Sequence, residues 1–229
     1  LRWSDLEKRL HSMPFAAGEL HASVLAGARG VSRLDIDLIG FGSPALTAGR
    51  VQFHARIAPD GTGIEIAAAA DAVHLSPRLS SPFGDDIRQV RLTASAMPSR
   101  AFDGLRAGRT DWISALETWR KADGRLAVSG LEISWEKLSA MGKGTLGLDA
   151  THAVEGMLDF KVAGIERLVD RARQHGLAGA ADSGIAAALL LRAALAGNNE
   201  AGLLGAVIGF HGGVVSVGDV AATTEEPLY

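Results

Sequence analysis

The chain has 229 residues, a formal net charge of −3 at pH 7 and no cysteine. This charge gives no electrostatic case for nucleic-acid binding, and the missing thiols exclude disulfides, cysteine nucleophiles and cysteine-based zinc sites. Hydrophobic residues make up 47% of the chain but aromatic residues only 5%, and 28 glycines fall between short apolar runs. This composition favours many strands joined by tight turns.

The first twelve residues are typical of a short helix, in which Ser4 and Glu7 form a capping box and which Pro14 ends. The chain begins at Leu1 without a signal sequence, so we expect a fragment or a processed form. The longest apolar run, at 185–191, is shorter than the roughly 20 residues that a membrane-spanning helix needs.

From Gly18 onward, apolar and polar residues alternate as they do in strands that have one covered face. The clearest strand spans residues 49–57, and we predict further strands at 18–22, 34–38, 64–66, 73–75 and 87–96. The residues of strand 49–57 on its apolar side are Val51, Phe53, Ala55 and Ile57.

A helix is predicted between Thr110, its N-cap, and residue 122, because Trp112, Leu116 and Trp119 share one helical face. The helix is followed by a turn and a strand. We expect Trp119 and Trp135, which bracket this helix–turn–strand unit, to pack together in the core.

Four more strands are predicted at 125–129, 131–135, 138–149 and 156–162. Helices are predicted at 165–175 and 183–196, a hairpin at 203–217 and an extended tail from 223. The fold class is therefore α+β: a long, curved, mainly antiparallel sheet with a few helices over part of one face. We expect residues 1–229 to form a single elongated domain, with a possible sub-boundary near 97–110.

One motif has the spacing of a dinucleotide-binding loop, with glycines at Gly142, Gly144 and Gly147. Such a loop needs a helix after it, and the strand-like residues 146–150 follow instead, which favours a structural role. No cofactor site is predicted.

The histidines His21, His54 and His74 are predicted on polar strand faces, as are Asp35 and Asp37. Such residues can form a metal site or a carboxylate pair. A solvated polar face is the favoured interpretation, so we predict no metal ligand and no catalytic residue.

Several arginines occur between Arg88 and Arg109. An arginine cluster can bind an anionic headgroup or a phosphate. A solvated basic edge is the favoured interpretation.

Four segments carry a family resemblance. They are W-R-x-x-D-G at 119–124, L-E-I-S-W-x-x-L at 131–138, G-T-L-G-L-D at 144–149 and F-H-G-G-V-V-S-V-G at 210–218. In order and spacing they resemble an uncharacterised family of Gram-negative envelope proteins, the domain of unknown function 2125. The resemblance covers about half of the chain; Asp123 and Glu136 stand where the family has glycines.

The resemblance implies no activity and no catalytic residue. The strand pattern is also similar to that of the wider AsmA-like group of periplasmic proteins, which are associated with lipid handling. The family resemblance implies a periplasmic protein that is anchored to the inner membrane by a segment preceding Leu1.

We therefore expect a non-enzymatic envelope protein that holds or guides a lipid or another hydrophobic ligand, or that helps envelope assembly. Helices that cover only part of the apolar sheet face would leave a trough for acyl chains. The predicted lining residues are Val51, Phe53, Ile57, Leu146, Leu148, Leu158 and Phe160.

Two alternatives stay open. In the first, the protein is an interaction module without a small ligand, whose sheet edges pair with another envelope protein. In the second, it is a hydrolase of unrecognised type, and His21, His54 and Asp37 would then lie together.

Overall fold

The computed structural model describes residues 15–77, 84–164, 203–218 and 220–224. In these ranges, eleven strands form one open antiparallel sheet, in which each strand pairs with its neighbours in the sequence. The strands are β1 (Glu19–Gly27), β2 (Gly30–Gly42), β3 (Leu46–Ile57), β4 (Ile64–Leu75), β5 (Asp86–Met97), β6 (Arg125–Trp135), β7 (Leu138–Leu148), β8 (Val154–Ala163), β9 (Leu203–His211), β10 (Val214–Val217) and β11 (Val220–Thr224).

Three short helical segments connect β5 to β6. They are a 3-10 helix (Ser99–Phe102), α1 (Asp103–Arg106) and α2 (Trp112–Lys121). We call these segments together the helix layer. The predicted fold class, an antiparallel sheet with a few helices, is confirmed.

Each predicted strand overlaps a strand of the structure, but β1 and β2 are longer than predicted and β11 was not predicted as a strand. Two pairs of predicted strands are single strands. Residues 64–66 and 73–75 are the two ends of one strand, β4, because the alanine-rich stretch between them does not alternate in polarity. Residues 125–129 and 131–135 form the single strand β6, whose pairing with β5 shifts register near Gly130. The helices predicted at 1–12, 165–175 and 183–196 lie outside the described residues.

The register of the strands lines up apolar residues in rows that cross the sheet. Since side chains alternate between faces along a strand, directly paired residues share a face. One row consists of Leu34, Ala55, Ile66, Ala94, Val128, Gly144, Leu158, Ile208 and Val217. The next row consists of Ile36, Phe53, Ala68, Leu92, Leu131, Gly142, Phe160 and Ala206. We call this side of the sheet the apolar face.

The opposite side, the polar face, carries charged pairs between neighbouring strands. Arg50 on β3 makes two hydrogen bonds to Asp37 on β2, at 2.6 and 2.8 Å. Arg56 on β3 contacts Glu65 on β4 at 2.6 Å. This polarity is that of an antiparallel sheet covered on one side only, as the alternation in the sequence predicts.

The N-cap of α2 is Asp111, so the prediction that Thr110 caps this helix was wrong. The Asp111 carboxylate accepts a hydrogen bond from the backbone N–H of Ser114 at 2.9 Å. A carboxylate at this position satisfies an amide that the first helical turn leaves unpaired, which stabilises the start of the helix.

Trp119 joins α2 to the sheet. Its side chain is 6% exposed, and its indole N–H donates a hydrogen bond to the carbonyl of Met97 at 2.9 Å. Its ring also lies beside Phe102, with the two centroids 6.3 Å apart. This side chain therefore fixes the helix layer at the end of β5.

Trp119 and Trp135 do not pack together, so that prediction was wrong. Trp119 lies against Gly124, just before β6 begins, whereas Trp135 ends that strand and donates a hydrogen bond to the carbonyl of Gly84 at 2.9 Å. At about 3.3 Å per residue, the strand separates them by roughly 30 Å.

The glycines of the 142–147 motif lie within β7, where they make room for β8. A β-carbon at Gly142 would meet the ring of Phe160 at 2.6 Å, and one at Gly144 would collide with the Met157 carbonyl and the Leu158 backbone. Its last glycine, Gly147, lies in a strand and not at the start of a helix, which confirms the structural interpretation of this motif.

We predict that Gly144→Ala lowers the free energy of unfolding by about 1–3 kcal/mol, because the new methyl group meets backbone atoms that cannot move aside. Urea denaturation followed by circular dichroism measures the change. The control is Gly130→Ala on β6, where a β-carbon meets nothing within 4 Å and the change is expected to stay within about 0.5 kcal/mol. Equal stability of both variants would contradict this account of the glycine.

Candidate functional site

An apolar pocket lies between the helix layer and the apolar face. Its volume is about 450 Å³, within the range of roughly 300–1,000 Å³ that is usual for small-molecule sites. The sheet contributes Leu34, Phe53, Ala55, Ile57, Ile64, Ile66, Ala96, Leu126, Leu146, Leu148 and Val154. The helix layer contributes Phe102, Leu105, Trp112, Leu116 and Trp119. The surface that lines the pocket is almost free of polar atoms.

Beside Trp119, the helix layer packs closely against the sheet. Trp119, Phe102 and Ala115 pack with Ala96 and Leu148 of the sheet in one buried cluster. Trp112, at the beginning of α2, also lines the pocket but is 45% exposed. The pocket is therefore closed beside Trp119 and reaches solvent beside Trp112.

Arg106 ties the other end of the helix layer to β2. Its Nε donates a hydrogen bond to the carbonyl of Val31 at 2.7 Å, and its Nη1 contacts Asp103 at 2.7 Å. Its side chain is only 17% exposed. Gly30, at the start of β2, lies directly against the Arg106 backbone and has a φ of +91°, which suits glycine. These contacts hold α1 across the sheet.

Four of the seven predicted ligand residues line this pocket: Phe53, Ile57, Leu146 and Leu148. They come from β3 and β7, which the sheet order separates by three strands, and only the helix layer makes them parts of one cavity. Their contact with a ligand stays a prediction.

The other three predicted ligand residues lie outside the pocket. Leu158 is buried with Ala94 and Val128, and Phe160 packs against that same cluster. Val51 pairs with Ala70, one row further along the apolar face than Phe53. Alternation along a strand assigns residues to a face, but it does not say which of them the helices cover.

The predicted ligand site did not include residues of the helix layer. The spacing of Trp112, Leu116 and Trp119 did predict a shared helical face, and the structure turns that face toward the pocket. Phe102 and Leu105 belong to turns too short to show a helical period, so the sequence has no comparable signal for them.

On the polar face, His21, His54 and Asp37 are neighbours. His21 pairs with Asp37 across β1 and β2, but the Asp37 carboxylate is bound by Arg50, while His54 lies 2.8 Å from Asp35. Hydrogen bonds from Arg50 hold the pKa of Asp37 below its usual range, and those from His54 and Arg33 do the same for Asp35.

These polar side chains are not arranged in the order of a nucleophile–base–acid relay. In such a relay the imidazole lies between the nucleophile and the carboxylate. Here the register places Asp35 between Ser23 and His54. Within the described ranges, no group of three or more histidine or acidic side chains is arranged to hold a metal ion. The remaining predicted histidine, His74, lies 2.8 Å from Asp86.

A family model described as "Uncharacterized protein conserved in bacteria (DUF2125)" matches residues 1–224. No curated protein and no solved structure matches this chain. Among the described residues, none of the helices has the length and hydrophobicity needed to cross a membrane.

The lowered pKa values of Asp35 and Asp37 predict a dependence of stability on pH. A carboxyl group whose pKa is lower in the folded state stabilises the fold above its unfolded pKa, about 3.9, and this contribution is lost as the pH falls through the folded pKa. We therefore expect the melting temperature to fall below about pH 4, and to fall less in the double variant Asp35→Asn, Asp37→Asn.

The matched control is Asp159→Asn on β8, which changes an exposed aspartate without a hydrogen bond to it within the part of the chain described here. Thermal unfolding between pH 7 and pH 3 should show the wild-type slope for this variant. A wild-type slope in the double variant as well would contradict the assignment.

Proposed function

We propose that this chain, which belongs to the DUF2125 family, is a non-enzymatic protein that binds the acyl chain of a lipid, or a similar apolar ligand. The ligand would lie in the pocket between the helix layer and the sheet. The observation that carries the proposal is the cavity of about 450 Å³ with an almost wholly apolar lining. Burial of apolar surface would supply the affinity, at about 25 cal/mol per Å² removed from water.

The shape and the lining of the pocket support an elongated apolar ligand. Its sheet side crosses seven strands, from β2 to β8, and aliphatic side chains dominate it. A pocket for a polar metabolite has a few convergent polar groups that fix the ligand's orientation, and the interior described here has almost none. A flexible hydrocarbon chain makes no such demand.

The apolar face continues beyond the helix layer, which supports guiding as well as holding. Leu38, Val51, Ala70 and Val90 form a further apolar row that is only half-buried. We propose that a hydrocarbon chain enters the pocket along this row. The proposed setting is the periplasmic side of the bacterial envelope, and it is supported by the resemblance alone.

A second candidate function is pairing of β1 with a strand of another protein. All nine residues of β1 are exposed, with Leu20 at 64% and Val24 at 58%, and within the described ranges no strand pairs with its outer edge. Exposed edges of this kind accept an added strand in other proteins. A pull-down that gives one stoichiometric partner, lost in Val24→Pro, would favour this candidate.

The leading proposal predicts that Ala55→Phe weakens ligand binding at least tenfold, which corresponds to about 1.4 kcal/mol. Ala55 lines the pocket, so a phenyl ring there would occupy the space that a hydrocarbon chain needs. Titration with a fluorescent fatty acid measures the affinity, and mass spectrometry of the purified protein identifies a lipid that copurifies with it.

The matched control is Ala67→Phe, the same change on the polar face of β4 between His54 and Thr93. It should bind the fatty acid as the wild type does. Absence of binding in the wild type would overturn the proposal, and equal weakening in both variants would show that the pocket is not the site.

A further inference from the structure

Building on the proposed function, we propose that the ligand is an anionic amphiphile, whose negatively charged headgroup is bound by an arginine rim at the β2 side of the pocket while its hydrocarbon chain lies inside. The arginine rim consists of Arg29, Arg106 and Arg109.

The fold brings the members of this rim together from two separate segments. Arg29 lies in the turn between β1 and β2, directly before Gly30, whose Cα lies against the backbone of Arg106 and Ala107. Arg106 lines the pocket, and Arg109 follows α1 after a turn at Gly108. The rim thus borders the place where the helix layer meets β2.

The acidic groups beside the rim are already engaged. Asp103 binds Arg106 at 2.7 Å, and Asp111, two residues after Arg109, accepts hydrogen bonds from the backbone N–H and the hydroxyl of Ser114 at 2.9 and 2.8 Å. Arg29 and Arg109 are exposed and have no hydrogen-bonded carboxylate among the described residues. The rim therefore keeps a positive excess on a chain whose net charge is −3.

The pocket interior and the rim together determine how a ligand would lie. The interior has almost no polar atoms. A charged headgroup that entered it would lose its hydration and find no hydrogen-bond partner in exchange. At the rim, guanidinium groups offer paired N–H donors that match a carboxylate or a phosphate. A positively charged or zwitterionic headgroup would bring a cation toward the arginines and lose part of this attraction.

The test uses two ligands with the same hydrocarbon chain, dodecyl phosphate and dodecylphosphocholine, below their micelle concentrations. Because Trp112 and Trp119 line the pocket, tryptophan fluorescence reports occupancy directly. We expect dodecyl phosphate to bind about tenfold more tightly, and this preference to shrink in high salt. Inorganic phosphate alone is expected to leave the fluorescence unchanged and not to compete.

The variant Arg29→Gln, Arg109→Gln removes the two unengaged arginines and leaves the Arg106 contacts that hold α1 in place. It should lose the preference for dodecyl phosphate while binding dodecylphosphocholine as the wild type does. The control is Arg88→Gln, an exposed arginine near the start of β5, at the opposite end of that strand from the helix layer. This variant should keep the full preference. Thermal unfolding confirms that each variant is folded.

Each contrary result has its own meaning. Equal affinity of the two dodecyl ligands would overturn the anionic headgroup and leave the proposed function standing. Absence of binding by both would overturn the proposed function itself. Competition by inorganic phosphate would show a plain phosphate site, and a preference that survives in Arg29→Gln, Arg109→Gln would overturn the rim.

Discussion

The structure depends on ten consecutive strand pairings whose register keeps apolar residues on one face of the sheet. A shift by one residue in any of them would turn the apolar residues of every following strand to the polar face. The register avoids this, and rows such as the one from Leu34 to Val217 stay apolar from β2 to β10. Irregular positions, among them Gly130 in β6, take up local shifts without reversing the faces.

The pocket follows from a mismatch in size between this sheet and the helix layer. The layer comprises two short helices and one 3-10 segment, inserted at a single connection, while the apolar face extends over the whole sheet. Trp119 fixes one side of the layer and Arg106 the other, so the helices span the face between two attachments. Between these attachments the side chains do not fill the space completely.

The polar face and the apolar face of the sheet carry different kinds of side chain. Polar groups form cross-strand pairs such as Asp37 with Arg50, in which each charge has its partner and the pair stabilises the neighbouring strands. The apolar face provides surface without reactive groups. Among the described residues, the charged residues that line the pocket are all arginines.

The sequence by itself determined where most strands lie, the apolar face of strands such as β3, the face of α2 that carries Trp112 and Trp119, and the closing hairpin. These features are local, because alternation and helical spacing are set by neighbouring residues. Only the tertiary structure decided that Phe53 and Leu146 share a pocket, that Leu158 and Phe160 lie outside it, and that Trp119 and Trp135 lie at opposite ends of β6. Those facts depend on where the helix layer contacts the sheet, and contacts between residues distant in sequence leave no periodic signal in the chain.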